Sequence, residues 1–133
     1  RTDSYVVTVG VAAFPRSAAA SGAHREIAGL ARTGGAVGKS AKVAPGIQTA
    51  RFAGTAAASF RDGQRQISAN VAAGTYVVFY TVGYADDRPR ERVASDSYTY
   101  SEMTSMGEGV ARAVVSRLAK PPPPPHCPGT LGC

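Results

Sequence analysis

Side chains able to perform acid–base or nucleophilic chemistry are few in this chain. It contains two histidines, His24 and His126. His24 lies in a predicted helix close to Glu26, and His126 follows a run of prolines. No Gly-x-Ser-x-Gly segment marks a nucleophilic serine, and no carboxylate pair has a spacing typical of glycoside hydrolysis. The sequence therefore predicts a non-enzymatic protein that uses no cofactor, and an enzyme of unrecognised class is kept as a third hypothesis.

The segment 34–40, GGAVGKS, ends like a phosphate-binding P-loop. That motif requires a glycine where this chain has Thr33, and it joins a strand to the following helix. Here the segment follows a predicted helix and leads into a loop. A flexible glycine-rich connector is therefore favoured over a nucleotide site.

A column of tyrosines is the best candidate for a binding site. Tyr76, Tyr80 and Tyr84 recur at even spacing in a predicted strand and must share one face of it. If the helices cover the other face, which carries Phe79, the tyrosines form an open aromatic surface that could bind a ligand or a protein. The alternative is that they belong to the core, with their hydroxyls reaching its edge.

The formal net charge of +6 favours anionic partners. The densest group of arginines is Arg88, Arg90 and Arg92, which a carboxylate interrupts and Asp86 and Asp87 precede. Such a mixed loop is unlike a nucleic-acid-binding patch. We therefore expect no nucleic acid partner, and we place these arginines at the rim of the tyrosine surface.

The chain ends in a proline-rich tail, predicted over residues 120–133. Pro121 to Pro125 favour a stiff polyproline II rod, and Cys127 and Cys133 follow it. They are the two cysteines of the chain, and Pro128 and Gly129 between them favour a turn that allows a disulfide loop. A metal site with His126 and free thiols are the alternatives. Paired cysteines persist in oxidising compartments, so the tail predicts an extracytoplasmic location, secreted or in the cell envelope.

Residues 1–119 are predicted to form a single α+β domain of order β-α-β-β-β-α. Asp62-Gly63 predicts a two-residue type I′ hairpin, Ala73-Gly74 predicts a second turn, and Ser101 or Thr99 is predicted to cap the last helix. The expected architecture is a four-stranded, mostly antiparallel sheet with two helices on one face, in which the first strand is central. Alternating and helical apolar periods place strands over 5–14, 47–61, 66–72 and 75–85, and helices over 17–32 and 101–120.

The strand at 76–84 and the closing helix that ends ARAVVSRLA at 111–119 together resemble part of a known group of proteins. The group comprises actinobacterial extracytoplasmic modules, namely the sensor domains outside some membrane kinases and related small lipoproteins. The resemblance covers the C-terminal third of the chain and rests on a pattern of apolar positions. It implies an envelope binding module and assigns no functional residue.

Together these features predict an exported, envelope-associated binding or accessory module. Its partner is expected to be an envelope component or a protein, with an anionic character that suits the positive charge. Peripheral contact with a membrane and self-association stay open. The alternative is a structural subunit that buries the tyrosine surface against a second copy or another protein.

Overall fold

The computed structural model describes residues 4–33, 47–86 and 97–119. Within these ranges the elements follow the order β-α-β-β-α, with a short 3₁₀ turn ahead of the second strand. The strands are β1 (Tyr5–Ala13), β2 (Arg65–Ala73) and β3 (Tyr76–Tyr84), and the helices are α1 (Ser17–Thr33) and α2 (Tyr98–Leu118).

The three described strands form one antiparallel sheet in the order β1-β3-β2. The second predicted turn is confirmed: Ala73 pairs with Tyr76, and Gly74 between them has a φ of 58°, which glycine adopts without strain. The first strand lies at an edge of the sheet, so its predicted central position was wrong. The central strand is β3, whose residues are the most completely buried of the three.

The prediction of a fourth strand was wrong. Residues 47–61 contain no strand, and turns fill residues 52–60. Gly54 has a φ of 78°, and the hydroxyl and the amide of Thr55 both donate to the Phe52 carbonyl. Local hydrogen bonds of this kind compete with a strand ladder, and the run Ala56–Ala58 lacks the branched side chains that favour a strand.

The predicted hairpin at Asp62-Gly63 was also wrong, because no strand precedes it. Asp62–Gln64 instead forms a 3₁₀ turn that leads into β2. The Asp62 carboxylate accepts the Thr49 amide at 2.9 Å, and Gln64 Oε1 accepts the Arg61 amide at 2.5 Å. Side chains therefore satisfy backbone donors that strand pairing would otherwise have used.

The two helices lie on opposite faces of the sheet, which corrects the prediction that both cover one face. Directly paired residues of neighbouring strands point to the same side. His24 of α1 donates from Nδ1 to Oδ1 of Asn70, which pairs with Phe79 and so faces the Phe79 side. Gly107 of α2 packs against Tyr80 and Val82 on the other side.

The turn segment 47–64 shares the Phe79 side with α1. Phe60 is buried against Gly83, and Ile47 packs on Gly10. Both glycines leave the space that these side chains fill. The missing fourth strand is thus replaced by an irregular layer over one end of the sheet.

The main apolar core lies between α2 and the sheet. Met103 and Ala111 of α2 are fully buried against Val78, Tyr80 and Val82. The helix begins three residues before its predicted start, because Ser97 caps it: its hydroxyl accepts the Tyr100 amide at 3.2 Å.

Candidate functional site

The predicted tyrosine surface lies under a helix. Tyr80 and Tyr84 are each 4% exposed, and Tyr76 is half-buried. Gly107 brings the α2 backbone onto the Tyr80 ring, and Tyr84 stacks obliquely against Tyr5 with ring centroids 5.6 Å apart. In the described structure, the centre of this sheet face is therefore core.

Burial has an electrostatic consequence for Tyr80. Removal of its hydroxyl from water raises the pKa of Tyr80 above the usual value, and the nearby carboxylate of Glu108 raises it further. Both effects oppose the charged phenolate. Tyr80 therefore stays neutral at physiological pH and serves as an amphipathic core residue.

The same sheet face stays partly open along β1. The Tyr5 hydroxyl donates to Glu102 at 2.8 Å, and Gly107 lies over Tyr80 and Val82, which pair with Val9 and Val7. The chain of α2 thus advances in the same direction as β1. Glu102 faces Tyr5 of β1, and the residues that follow it at four-residue spacing lie on the same side of the helix.

Three exposed apolar side chains lie on the two elements that border this opening, and we call them the β1 strip: Val11, Met106 and Val110. Their exposed fractions are 47%, 40% and 41%. Met106 and Val110 follow Glu102 at four-residue spacing, and Val11 shares the α2 side of the sheet with Val78. A strip of apolar groups beside an edge strand is a surface suited to a protein partner.

The backbone of β1 offers hydrogen bonds beside this strip. Ser4 accepts from Ala85 and Phe14 donates to Thr75, which fixes the phase of the ladder with β3. In an antiparallel pair the inward bonds fall on alternate residues. Val7, Val9 and Val11 therefore point their amides and carbonyls outward, and in the described part of the chain no strand pairs with this edge.

His24 has a structural setting. It is half-buried, and its described hydrogen-bond partner is the side-chain oxygen Oδ1 of Asn70 on β2. This bond ties α1 to the sheet. Neighbouring polar groups on the same face are likewise paired: the Thr81 hydroxyl donates to the Ile67 carbonyl at 2.9 Å and accepts from Ser68 at 2.9 Å.

A cleft of about 380 Å³ opens in the turn segment. Its lining residues are Gln48, Thr49, Arg51, Arg61 and Asp62, and we call it the arginine cleft. It lies beside Arg65, a buried residue whose Nε is 3.5 Å from the Asp62 carboxylate. This cleft belongs to the layer that covers the Phe79 side of the sheet.

Several predicted features fall outside the described residues. They are the arginines Arg88, Arg90 and Arg92, the cysteines Cys127 and Cys133, and the segment 34–40. Within the described ranges, no group of three or more histidine, cysteine or acidic side chains could hold a metal ion. No helix in those ranges is both long enough and apolar enough to cross a membrane.

Comparison of the chain with known protein families, with characterised proteins and with solved structures finds no match. The resemblance to extracytoplasmic sensor modules therefore stays a hypothesis.

Sequence reasoning missed both surfaces found here. Met106 and Val110 share the periodic apolar pattern of Met103, and such a pattern by itself indicates the buried side of a helix. The arginine cleft was hidden because its residues were assigned to a strand. One signal could have revealed the strip. The apolar stripe of α2 is wide, and Met106 and Val110 lie to one side of its centre at Gly107.

Proposed function

We propose that the protein is an exported, non-enzymatic binding module of the cell envelope that holds a protein partner along β1. The observation that carries the proposal is that, among the described residues, no strand pairs with the outer edge of β1, which lies beside the exposed β1 strip. An extended segment of a partner could add to the sheet and place alternate side chains on the strip.

The binding surface differs from the one expected from the sequence. With Tyr80 and Tyr84 under α2, the accessible part of the tyrosine face is its β1 margin. Here backbone groups supply affinity and the strip supplies specificity for apolar side chains. Arg88, Arg90 and Arg92 remain a proposed contact for anionic groups of the partner.

The partner we favour is a different protein with an acidic surface. Each chain carries a formal net charge of +6, so two copies repel one another, whereas an acidic partner is attracted. The alternative function, a self-assembling subunit, has one observation in its favour: antiparallel pairing of two β1 edges is self-complementary and generates a closed two-fold dimer.

The edge can be tested with a matched pair of substitutions at Val11. Val11→Pro removes an outward amide without breaking the ladder to β3, whereas Val11→Ala shortens the side chain and keeps the amide. The measurement is capture of partner proteins from an envelope extract of the source cells. We expect the Val11→Pro variant to capture no partner and the Val11→Ala variant to capture it more weakly than the wild type.

The strip is tested separately by the double variant Met106→Lys and Val110→Lys. Ser101→Lys with Ser105→Lys on the exposed side of α2 is the control, because it makes the same change in charge. Loss of partner capture in Met106→Lys with Val110→Lys, but not in the control, supports the proposal. Capture that survives both Val11→Pro and the strip variant contradicts it, and a concentration-dependent dimer in light scattering that Val11→Pro abolishes selects self-assembly instead.

The exported location has its own measurement. A disulfide between Cys127 and Cys133 lowers the intact mass by that of two hydrogen atoms and leaves no thiol to react. Detection of two free thiols in natively isolated protein would remove the main support for export.

A further inference from the structure

We propose that the arginine cleft is a binding site for a phosphate group. This inference is independent of the proposed function, because the cleft lies on the face of the sheet opposite the β1 strip. It rests on the charge balance of the cleft and on the way its walls are held.

The two cleft arginines carry charge that no described side chain neutralises. Arg51 and Arg61 are both exposed, and neither forms an ion pair with a described carboxylate. Asp62 also lines the cleft, but its carboxylate accepts the Thr49 amide and pairs with the buried Arg65. The charged side chains that line the cleft therefore carry a net positive charge, and the buried Arg65 adds to it beside Asp62.

The walls of the cleft are fixed from below. Arg65 donates from Nη1 to the Ile47 carbonyl at 3.0 Å, and the Ala50 amide donates to the Thr8 hydroxyl at 3.3 Å. Arg51 therefore follows a segment pinned to the sheet. Arg61 immediately precedes the 3₁₀ turn, and its amide donates to Gln64 Oε1.

The chemistry of the cleft fits phosphate. Guanidinium groups bind phosphate oxygens through two parallel N–H donors, and two of them match a doubly charged anion. Gln48 and Thr49 also line the cleft and offer side-chain donors. The volume of about 380 Å³ accommodates a phosphate with a small organic group attached.

The first arm of the test is a titration of the full chain with inorganic phosphate at constant ionic strength. Two-dimensional amide NMR detects binding. We expect saturable shifts at residues 48–51 and 61–62. In Arg51→Gln with Arg61→Gln the affinity should fall at least about tenfold. The control is Arg16→Gln with Arg25→Gln, which removes the same charge from exposed positions on and before α1.

The second arm distinguishes a free phosphate compound from a lipid headgroup. Sedimentation with phosphatidylglycerol vesicles is compared with phosphatidylcholine vesicles for the same three proteins. If the wild type and the control bind phosphatidylglycerol vesicles and the cleft variant does not, the ligand is a lipid headgroup. If the wild type binds inorganic phosphate but not the vesicles, the ligand is a soluble phosphate compound. The proposal is overturned if neither probe binds, or if the cleft variant and its control lose binding equally.

Discussion

At the scale of single residues, the tyrosines show how position decides the role of one side-chain type. Tyr80, in an apolar strand, is 4% exposed, whereas Tyr98, between Ser97 and Thr99 at the start of α2, is 81% exposed. Burial penalises the phenolate of Tyr80, and Glu108 adds to the penalty. Tyr80 thus couples the stability of the core to alkaline pH.

This coupling predicts the behaviour of Tyr80→Phe at high pH. The pKa of Tyr80 is raised in the folded state, so its contribution to stability is complete below pH 10.0 and is lost as pH rises through the folded pKa. We expect the free energy of unfolding of Tyr80→Phe to fall less above pH 10.0 than that of the wild type. Urea unfolding at a series of pH values measures this.

Tyr98→Phe is the control, since its hydroxyl is in water in the folded and unfolded states alike. An equal alkaline loss of stability in the wild type and Tyr80→Phe would show that burial of this hydroxyl does not govern the transition.

At the scale of elements, α2 is placed by a glycine. A Cβ added at Gly107 would lie 2.5 and 2.6 Å from ring carbons of Tyr80 and 2.7 Å from Cγ2 of Val82. Such approaches are closer than real Cβ contacts allow, so the absence of a side chain sets how near the helix comes to β3. The same approach buries the tyrosine face.

Two glycines in α2 give a matched pair of predictions. Gly107→Ala should destabilise the fold by about 1–3 kcal/mol because the core must move to admit the methyl group. Gly109→Ala should stabilise it by up to about 1 kcal/mol, since its Cβ meets nothing within 4 Å and alanine favours a helix. Thermal unfolding followed by circular dichroism measures both.

Opposite signs for the two variants are the decisive result. Two stabilised variants would show that α2 does not lie on Tyr80 as described.

The helices and strands that could be predicted are those determined by interactions between residues close in sequence. β1, α1, β2 and β3 were predicted within about two residues, because alternation, caps and glycine turns act over short stretches. The segment 47–61 was mistaken for a strand because alternation is a local signal, whereas the side-chain hydrogen bonds that hold this segment, such as that of Asp62 with Thr49, join residues far apart in the chain.

At the scale of the whole molecule, the chain is layered, with α2 on one side of the sheet and α1 with the turn segment on the other. Each side of the sheet thus carries a distinct surface: the β1 strip beside α2, and the arginine cleft in the turn layer. The layers predict that the proline-rich tail contributes little to stability.

That prediction is tested by removing residues 120–133. We expect the melting temperature of the shortened chain to stay within about 2 °C of the full chain, because a run of prolines favours an extended rod over packing into a helix or a sheet. Adding a reductant to the full chain should have equally little effect. A large drop in either experiment would mean that the tail docks on the domain and that its boundary lies elsewhere.

The candidate sites were predictable only in part, for reasons that reach across the chain. The sequence determined which strand carries the tyrosines and that they share a face, since strand period is a local property. It also determined the net charge and the pairing potential of Cys127 and Cys133. Which sheet face a helix covers depends on how a distant segment packs.

Only the tertiary structure decided that α2 covers Tyr80 and Tyr84 and leaves Val11, Met106 and Val110 exposed. It also decided that Arg51 and Arg61, ten positions apart, meet in one cleft. Both outcomes depend on contacts between residues far apart in sequence, such as Gly107 with Tyr80 and Arg65 with Ile47. Short-range periodicity does not predict such contacts, because they form only when the layers pack.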